Sequence, residues 1–308
     1  MQKISIVVVT YNFEDIILEC LRSIESQGYR EIEVIISDDA SKDNTLKVCK
    51  DWKEKNKNKY NIILISSNIN QGVVKNINQG VKLATGEWIK ILAGDDILEK
   101  NALQNYSNFI KQNKEAEIIF SKVRTFGEVE REEELPKEQE FYKKNSKEQI
   151  KILLEANQIY APGVILKKSL LEKMEYFDER FKMVEDYPFW IKLLKNKIKF
   201  YFLDKVTVFY RINEKSVSSK KNNLLINPII FEFEKQFFEE IYKKEIKNPL
   251  KLWDKFITLK RREDILKKGN RKKTKLYKIL GYCYSKKILK YILRILIIFL
   301  IIVLGIKK

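Results

Sequence analysis

Four apolar runs in the first hundred residues each stop at a cluster of small polar residues, and that pattern leaves few folds open. Ile4 to Val9 runs into Thr10-Tyr11-Asn12, Ile32 to Ile36 into Asp38-Asp39, Ile62 to Ile65 into Ser66-Ser67-Asn68, and Trp88 to Leu92, through Ala93 and Gly94, into Asp95-Asp96. Between them, apolar residues recur at helical spacing. Ile17, Leu21 and Ile24 mark a helix from about 14 to 27, and Val48 and Trp52 one capped by Ser41 or Asp43. Ile77, Val81 and Ala84 mark a third, and Leu103, Tyr106 and Ile110 a fourth that precedes a strand from Ile118 to Ser121. Strands alternating with helices at this spacing specify a parallel, doubly wound α/β sheet. The C-terminal ends of such strands share the edge where ligands bind. Any one of these clusters is ordinary turn chemistry, but the four together describe a polar crevice.

The composition narrows the chemistry of that crevice. The chain has no histidine, so Ser-His and Cys-His catalysis and His-ligated metals are excluded, and Asp and Glu remain as general bases. Cys20, Cys49 and Cys283 are odd in number and far apart, which fits a reducing compartment and no disulfide framework or zinc site. Neither GxGxxG nor GxxxxGK[ST] occurs, so the dinucleotide fingerprint and the P-loop are absent. Two adjacent carboxylates at the end of a buried strand, Asp95 and Asp96, suit a hard divalent cation that also holds substrate phosphates, whereas a cap would need only one of them.

The segment ISIVVVTYNFEDIILECLRSIESQGYREIEVIISDDAS, followed by NQGVVKNINQGVKLATGEWIKILAGDD, resembles the family 2 glycosyltransferases, inverting bacterial-type enzymes of GT-A fold, and the resemblance covers roughly the first 215 residues. It implies a Rossmann-like, mostly parallel sheet sandwiched by helices. It also implies that Thr10, Tyr11 and Asn12 line the nucleotide, that Asp39 accepts a hydrogen bond from the base, and that Lys75 meets the diphosphate. Asp95 would face the sugar or ribose, and Asp96 would bind Mg²⁺ or Mn²⁺. Many members carry Asp-x-Asp, whose first aspartate aligns with Ala93 here, so the resemblance implies a metal held mostly by Asp96, phosphates and water, and only weakly without nucleotide.

Further along, Phe126 to Ser146 reads as a solvated, charged insert, Lys147 to Asn157 as a helix, and Ala161-Pro162-Gly163 as the start of the acceptor side. Glu185 and Asp186 open a helix with Pro188 in its first turn and Trp190 on its apolar side, a placement that helix-end electrostatics alone would favour. By the resemblance Asp186 is the catalytic base, with Glu185 the runner-up, and Glu185 and Trp190 are candidates for the acceptor side. Lys199 to Leu203 and Val206 to Tyr210 read as a hairpin, ending in Arg211, a candidate diphosphate contact or structural ion pair, and in Asn213, where similar enzymes often place a histidine.

These readings divide the chain into a catalytic domain, 1–218, with a nucleotide-sugar half (1–121) and an acceptor half (122–218), a helical extension, 219–268, and a basic, apolar tail, 269–308. Most of the formal +18 charge belongs to the end of the chain: thirteen lysines and arginines and no acidic residue follow Asp264. The uncharged run Ile295 to Ile306 is shorter than a spanning helix needs. The tail therefore reads as an anchor lying in an anionic membrane surface, a short spanning helix being the alternative. The opening MQKISIVVVTYN reads as a buried strand and not as a leader. The expected protein is a transferase at the cytoplasmic face of the membrane. It would move a sugar from a nucleotide-diphosphate donor, of the UDP class, to a saccharide acceptor that is lipid-linked, with no nucleic-acid partner. A sugar nucleotidyltransferase would be expected to show a glycine-rich basic signature near the first strand. A nucleic-acid-binding basic protein would leave the carboxylates unexplained.

Overall fold

The computed structural model describes residues 2–128, 131–213 and 226–267, which fall into two compact units, Met1–Ser216 and Val217–Lys308. The first unit contains β1 (Ile4–Thr10), α1 (Ile17–Glu25), β2 (Ile32–Asp38), α2 (Thr45–Asn56), β3 (Asn61–Ser66), α3 (Val73–Leu83), β4 (Trp88–Ala93), β5 (Ile97–Leu98) and α4 (Ala102–Gln112). There follow β6 (Ile118–Gly127), β7 (Glu134–Leu135), α5 (Glu140–Lys143), α6 (Ser146–Glu155), β8 (Val164–Lys167), α7 (Lys168–Lys173), α8 (Asp186–Lys195) and β9 (Tyr201–Ile212). One sheet runs β3-β2-β1-β4-β8-β6-β9-β5, with β7 on β6. Its first four strands are parallel, β8 is antiparallel to both neighbours, and β9 returns parallel to β6.

Every residue of β1 and β2 is buried. Strands covered on both faces need no polar side, which is why these runs are mostly apolar and do not alternate; the exceptions, Ser5 and Glu33, are paired, Ser5 Oγ donating to the Glu33 carboxylate at 2.6 Å. On one face Ile4, Ile6, Val8, Trp88 and Leu92 pack with Ile17, Leu21 and Ile24 of α1 and Leu103 and Tyr106 of α4 in a single core. On α3, Val74, Ile77 and Val81 are buried, at the spacing that marks one face of a helix.

The structure departs from the sequence reading at several boundaries, each with a local cause. Helix α1 starts at Ile17, because the Glu14 amide bonds Asp43 and the Glu14 carboxylate accepts from the Asn44 amide. Helix α2 starts beyond both anticipated caps: Ser41 bonds Asp38 and Asn12, while Asp43 accepts from the Thr45 amide. The expected hairpin at 199–210 is one long strand. At Asp204-Lys205 its pairing jumps from Ser121↔Leu203 to Lys122↔Val206, a bulge where a turn was expected, with Lys122 Nζ 2.5 Å from Asp204. Nor is 126–146 a plain insert. Glu134–Leu135 pairs with β6, and Asn145 and Glu148 form a reciprocal capping box that starts α6.

In the second unit, α9 (Pro228–Phe237) begins with Asn227 accepting two backbone amides and Pro228 in the first turn. It runs through a π-helical turn, Phe238–Tyr242, into α10 (Lys243–Glu245), and α11 (Pro249–Lys267) follows. Among the described residues Ile226, Phe231, Phe237, Phe238, Tyr242 and Leu259 are its buried side chains. The anticipated tail, 269–308, lies outside the described residues. Among the described residues no helix is long and apolar enough to cross a membrane.

Candidate active site

The parallel register sets Thr10 beside Asp38 and Asp38 beside Ser66. Three further backbone bonds carry the ladder past the strand ends: Asp39 N to Thr10 O at 3.0 Å, Ser67 N to Asp38 O at 3.0 Å and Gly94 N to Val9 O at 2.8 Å. The four polar clusters therefore share one edge. Within it, most side chains are committed to holding loops. Asp38 accepts from Ser41 Oγ (2.5 Å), Ser41 N (3.1 Å) and Ser66 Oγ (2.8 Å). Asp39 receives the Gln71 and Gly72 amides, each at 2.8 Å, one on each oxygen.

The candidate nucleotide residues sit around this frame. Asn12 takes the left-handed conformation (φ 55°) that asparagine tolerates, and its side chain accepts from Lys42 N at 2.8 Å. Thr10 is buried with its hydroxyl unpartnered among the described residues. Tyr11 is 40% exposed, and Lys75 is exposed near the start of α3. A buried hydroxyl without a partner is costly unless a ligand or water completes it.

The acidic pair lies at the end of β4. A Cβ on Gly94 would come within 2.8 Å of Ile17 Cδ1 and 3.1 Å of Thr10 Oγ1, so glycine lets these side chains pack close against the turn that presents the next two residues. Asp96 is buried. Its Oδ1 accepts the Arg211 amide at 2.9 Å, and its second oxygen has no protein partner among the described residues. Burial, with the charge of Asp95 behind it, raises the Asp96 carboxyl well above the usual range. Burial raises Asp95 as well, and Arg211 partly offsets this. The guanidinium of Arg211 is engaged by the protein: Nε donates to Asp95 O at 2.8 Å, Nη2 lies 2.5 Å from Glu19, and the group stacks on Phe126 at 4.4 Å. The structural ion pair that the sequence left open to it is formed.

The acceptor-side residues come in from far along the chain. Asp96, Glu185, Asp186, Trp190 and Phe177 all line one cavity of about 110 Å³, closed on another side by Ala161 and Pro162. Glu185 and Asp186 are half-buried as residues, but their carboxyls sit deep enough that burial lifts both above the normal carboxylate range. For Asp186 the Tyr187 amide and the side chain of Asn157 offset part of that rise, and Asn157 Nδ2 donates to Asp186 Oδ2 at 3.2 Å.

Among the described residues no three Asp, Glu, Cys or His side chains gather into a protein-only cage. Asp95 and Asp96 do offer carboxylate oxygens short of cations, and a hard ion commonly takes the rest of its ligands from phosphate and water. The residues fit such an ion bound together with a diphosphate.

Sequence reasoning missed Lys90. Fully buried on β4, it donates to the carbonyls of Pro162 and Val164 (3.2 Å for the latter), and burial pushes its amine down to about 7 against the pull of Asp96. The signal was present: one lysine in an otherwise apolar strand. Asn157 carried no signal beyond its type, and Asp38 showed only as part of a strand-end cluster, its hold on Ser41 and Ser66 being invisible in sequence.

Three comparisons with known proteins bear on this site. The family described as Glycosyl transferase family 2 matches residues 5–174. The UDP-Glc:alpha-D-GlcNAc-diphosphoundecaprenol beta-1,3-glucosyltransferase WfaP of Escherichia coli is 28% identical over 228 residues, covering 73% of this chain and 84% of that protein. Among solved structures, S. aureus TarS 1–349 in complex with UDP-GlcNAc matches with TM-score 0.61 at 23% identity, over 83% of this chain and 73% of that one. The mannosyltransferase PcManGT of Pyrobaculum calidifontis, with GDP-Man and Mn²⁺, matches with TM-score 0.57 at 16% identity, over 98% of this chain and 81% of that one. At these identities the structural likeness is one of fold, the mixed α/β sheet of GT-A enzymes.

Proposed function

Since this chain belongs to glycosyl transferase family 2 and is a glycosyltransferase, we propose that it moves a hexosyl or N-acetylhexosaminyl group from a UDP-sugar to a hydroxyl of a lipid-linked saccharide, with inversion, in the assembly of a cell-surface polysaccharide or lipooligosaccharide. The observation that carries the reading is that Asp96 and Asp186, remote in sequence, face the same cavity at the ligand edge of the sheet. UDP-GlcNAc in TarS supports the donor class, and the diphosphoundecaprenol acceptor in the name of WfaP supports a lipid-linked acceptor.

In this reading Thr10, Tyr11, Asn12 and Asp39 receive the nucleotide, with the unpartnered Thr10 hydroxyl completed by it. Lys75 meets the diphosphate and Asp95 the sugar or ribose. Asp96 holds Mg²⁺ or Mn²⁺, which would supply Lewis-acid stabilisation of the departing diphosphate. Arg211 keeps the acidic pair in place through Asp95 O and Glu19. Asp186 takes the proton of the acceptor hydroxyl as that oxygen bonds the anomeric carbon from the face opposite the leaving UDP. A carboxyl raised by burial is a stronger base than one in water, and Asn157 fixes its direction. Trp190 and Glu185 flank the acceptor.

The chain would work at the cytoplasmic face of the membrane, held by residues 269–308 with their cations and apolar run. The test is transfer from UDP-Glc and UDP-GlcNAc, with Mn²⁺, to a short-chain polyprenyl-diphosphate GlcNAc. Mass spectrometry should find one added hexose or N-acetylhexosamine, and NMR a β linkage. An α linkage would overturn inversion, and transfer from GDP-sugars alone would overturn the donor class.

A further inference from the structure

One buried polar side chain joins the two halves of this site and has no part in the chemistry above. Asn78 lies in the middle of α3 and is buried. Its Nδ2 donates to Phe177 O at 2.9 Å and to Glu179 Oε1 at 3.2 Å, and Phe177 N donates back to Oδ1 at 3.1 Å. At the start of the same helix Gly72 lies against the carbonyl of Lys182, which an added Cβ would approach to 3.3 Å. The amide of Gly72 is one of the two that Asp39 accepts. A single helix is thus clamped at its start by a carboxylate of the donor edge, and from its middle it holds the segment leading into Glu185 and Asp186. Phe177 lines the cavity itself, and its ring packs on Phe189 of α8 at 4.6 Å between centroids.

We propose that Asn78 is a positioning residue for the transfer reaction, fixing residues 177–185 to α3 so that occupation of the donor edge is transmitted to Asp186. The primary amide is the group this contact requires. It must donate to the carbonyl and accept from the amide of the same residue, which neither a carboxylate nor an apolar side chain of that size can do. Inside the protein the Phe177 groups have no water as an alternative partner. The transmission rests on the reading of the Asp39 edge as the donor site and of Asp186 as the base; the fixing of 177–185 does not.

Hydrogen exchange on the full chain separates the two, using wild type, Asn78→Ala and the milder Asn78→Ser, each alone and with UDP plus Mn²⁺. Without nucleotide, amides of 177–185 in Asn78→Ala should exchange about ten-fold faster or more, while β1 and β2 keep their wild-type protection, with Asn78→Ser in between. UDP plus Mn²⁺ should slow 177–185 in wild type and leave it unchanged in Asn78→Ala, although the affinity for UDP shifts by no more than about three-fold. In transfer assays kcat should fall about ten-fold at unchanged donor KM. Wild-type exchange across 177–185 in both variants would overturn the proposal. So would equal loss of protection in β1 and β2, which would mark a stability role only. A wild type that binds no UDP would remove the transmission and the donor reading together, and the nucleotide-free exchange would still decide the fixing.

Discussion

The carboxylates at the ends of β1 to β3 and those around the cavity share a sheet edge but live under opposite conditions. Asp38 and Asp43 each accept two or three hydrogen bonds from nearby backbone or hydroxyl groups. Burial alone would lift Asp43, yet its bonds to Thr45 and to the Glu14 amide outweigh it and hold that carboxyl low. Asp95, Asp96, Glu185 and Asp186 are all raised, with burial the leading cause each time. A carboxylate whose lone pairs are filled by the protein is architecture. One that is buried and left short of partners is waiting for a proton, a cation or a substrate, and such groups cluster at functional sites.

Substitutions on the two sides should therefore fail differently. The largest effect is expected at Asp186, where Asp186→Asn should lower transfer by about 10²–10⁴-fold while UDP affinity stays within a few-fold. A variant that kept most of its activity would place the base elsewhere. Asp38→Ala strands the Ser41 amide and two hydroxyls, and should cost about 2–3 kcal/mol in urea denaturation. Its remaining folded fraction should show unaltered metal dependence. Asp96→Asn reverses that pattern, with stability kept or improved and Mn²⁺-dependent UDP binding weakened about ten-fold. The smallest effect is on pH. Glu185 is pushed up from 4.5 to about 8, by burial and then by Asp186. Between those values the folded state holds the extra proton, so stability should fall as pH rises through the window, by at most about 1.4 kcal/mol per pH unit. Glu185→Gln should flatten that slope, and an unchanged slope would assign it to other groups.

The strand-and-helix alternation of residues 4–112 was legible because central strands of a parallel sheet are mostly apolar on both faces, with polar groups gathered at their ends. The convergence of those ends follows from parallel pairing alone. The long β9 was not legible, because Asp204-Lys205 has turn composition and only the register against β6 shows it to be a bulge. Ser41 reads as a helix cap, but three-dimensional competition from Asp38 and Asn12 takes its hydrogen bonds. In the site, Asp95-Asp96 could be picked out from the residues themselves. Its partnership with Asp186 could not, since spacing carries no information across residues 97–185, and there the resemblance to a family did what pattern could not. Lys90 and Asn78 stayed hidden for the same reason, their partners lying 72 and 99 residues onward.

The crevice at the strand ends should be completed by a nucleoside diphosphate and a divalent cation together. Calorimetric titration of the folded protein with UDP, GDP, CDP and dTDP, each with and without Mn²⁺, tests it most directly. UDP should bind with Mn²⁺ present and weaken at least ten-fold without it, ahead of the other three nucleotides. Folded protein that binds none of the four under either condition would contradict the account.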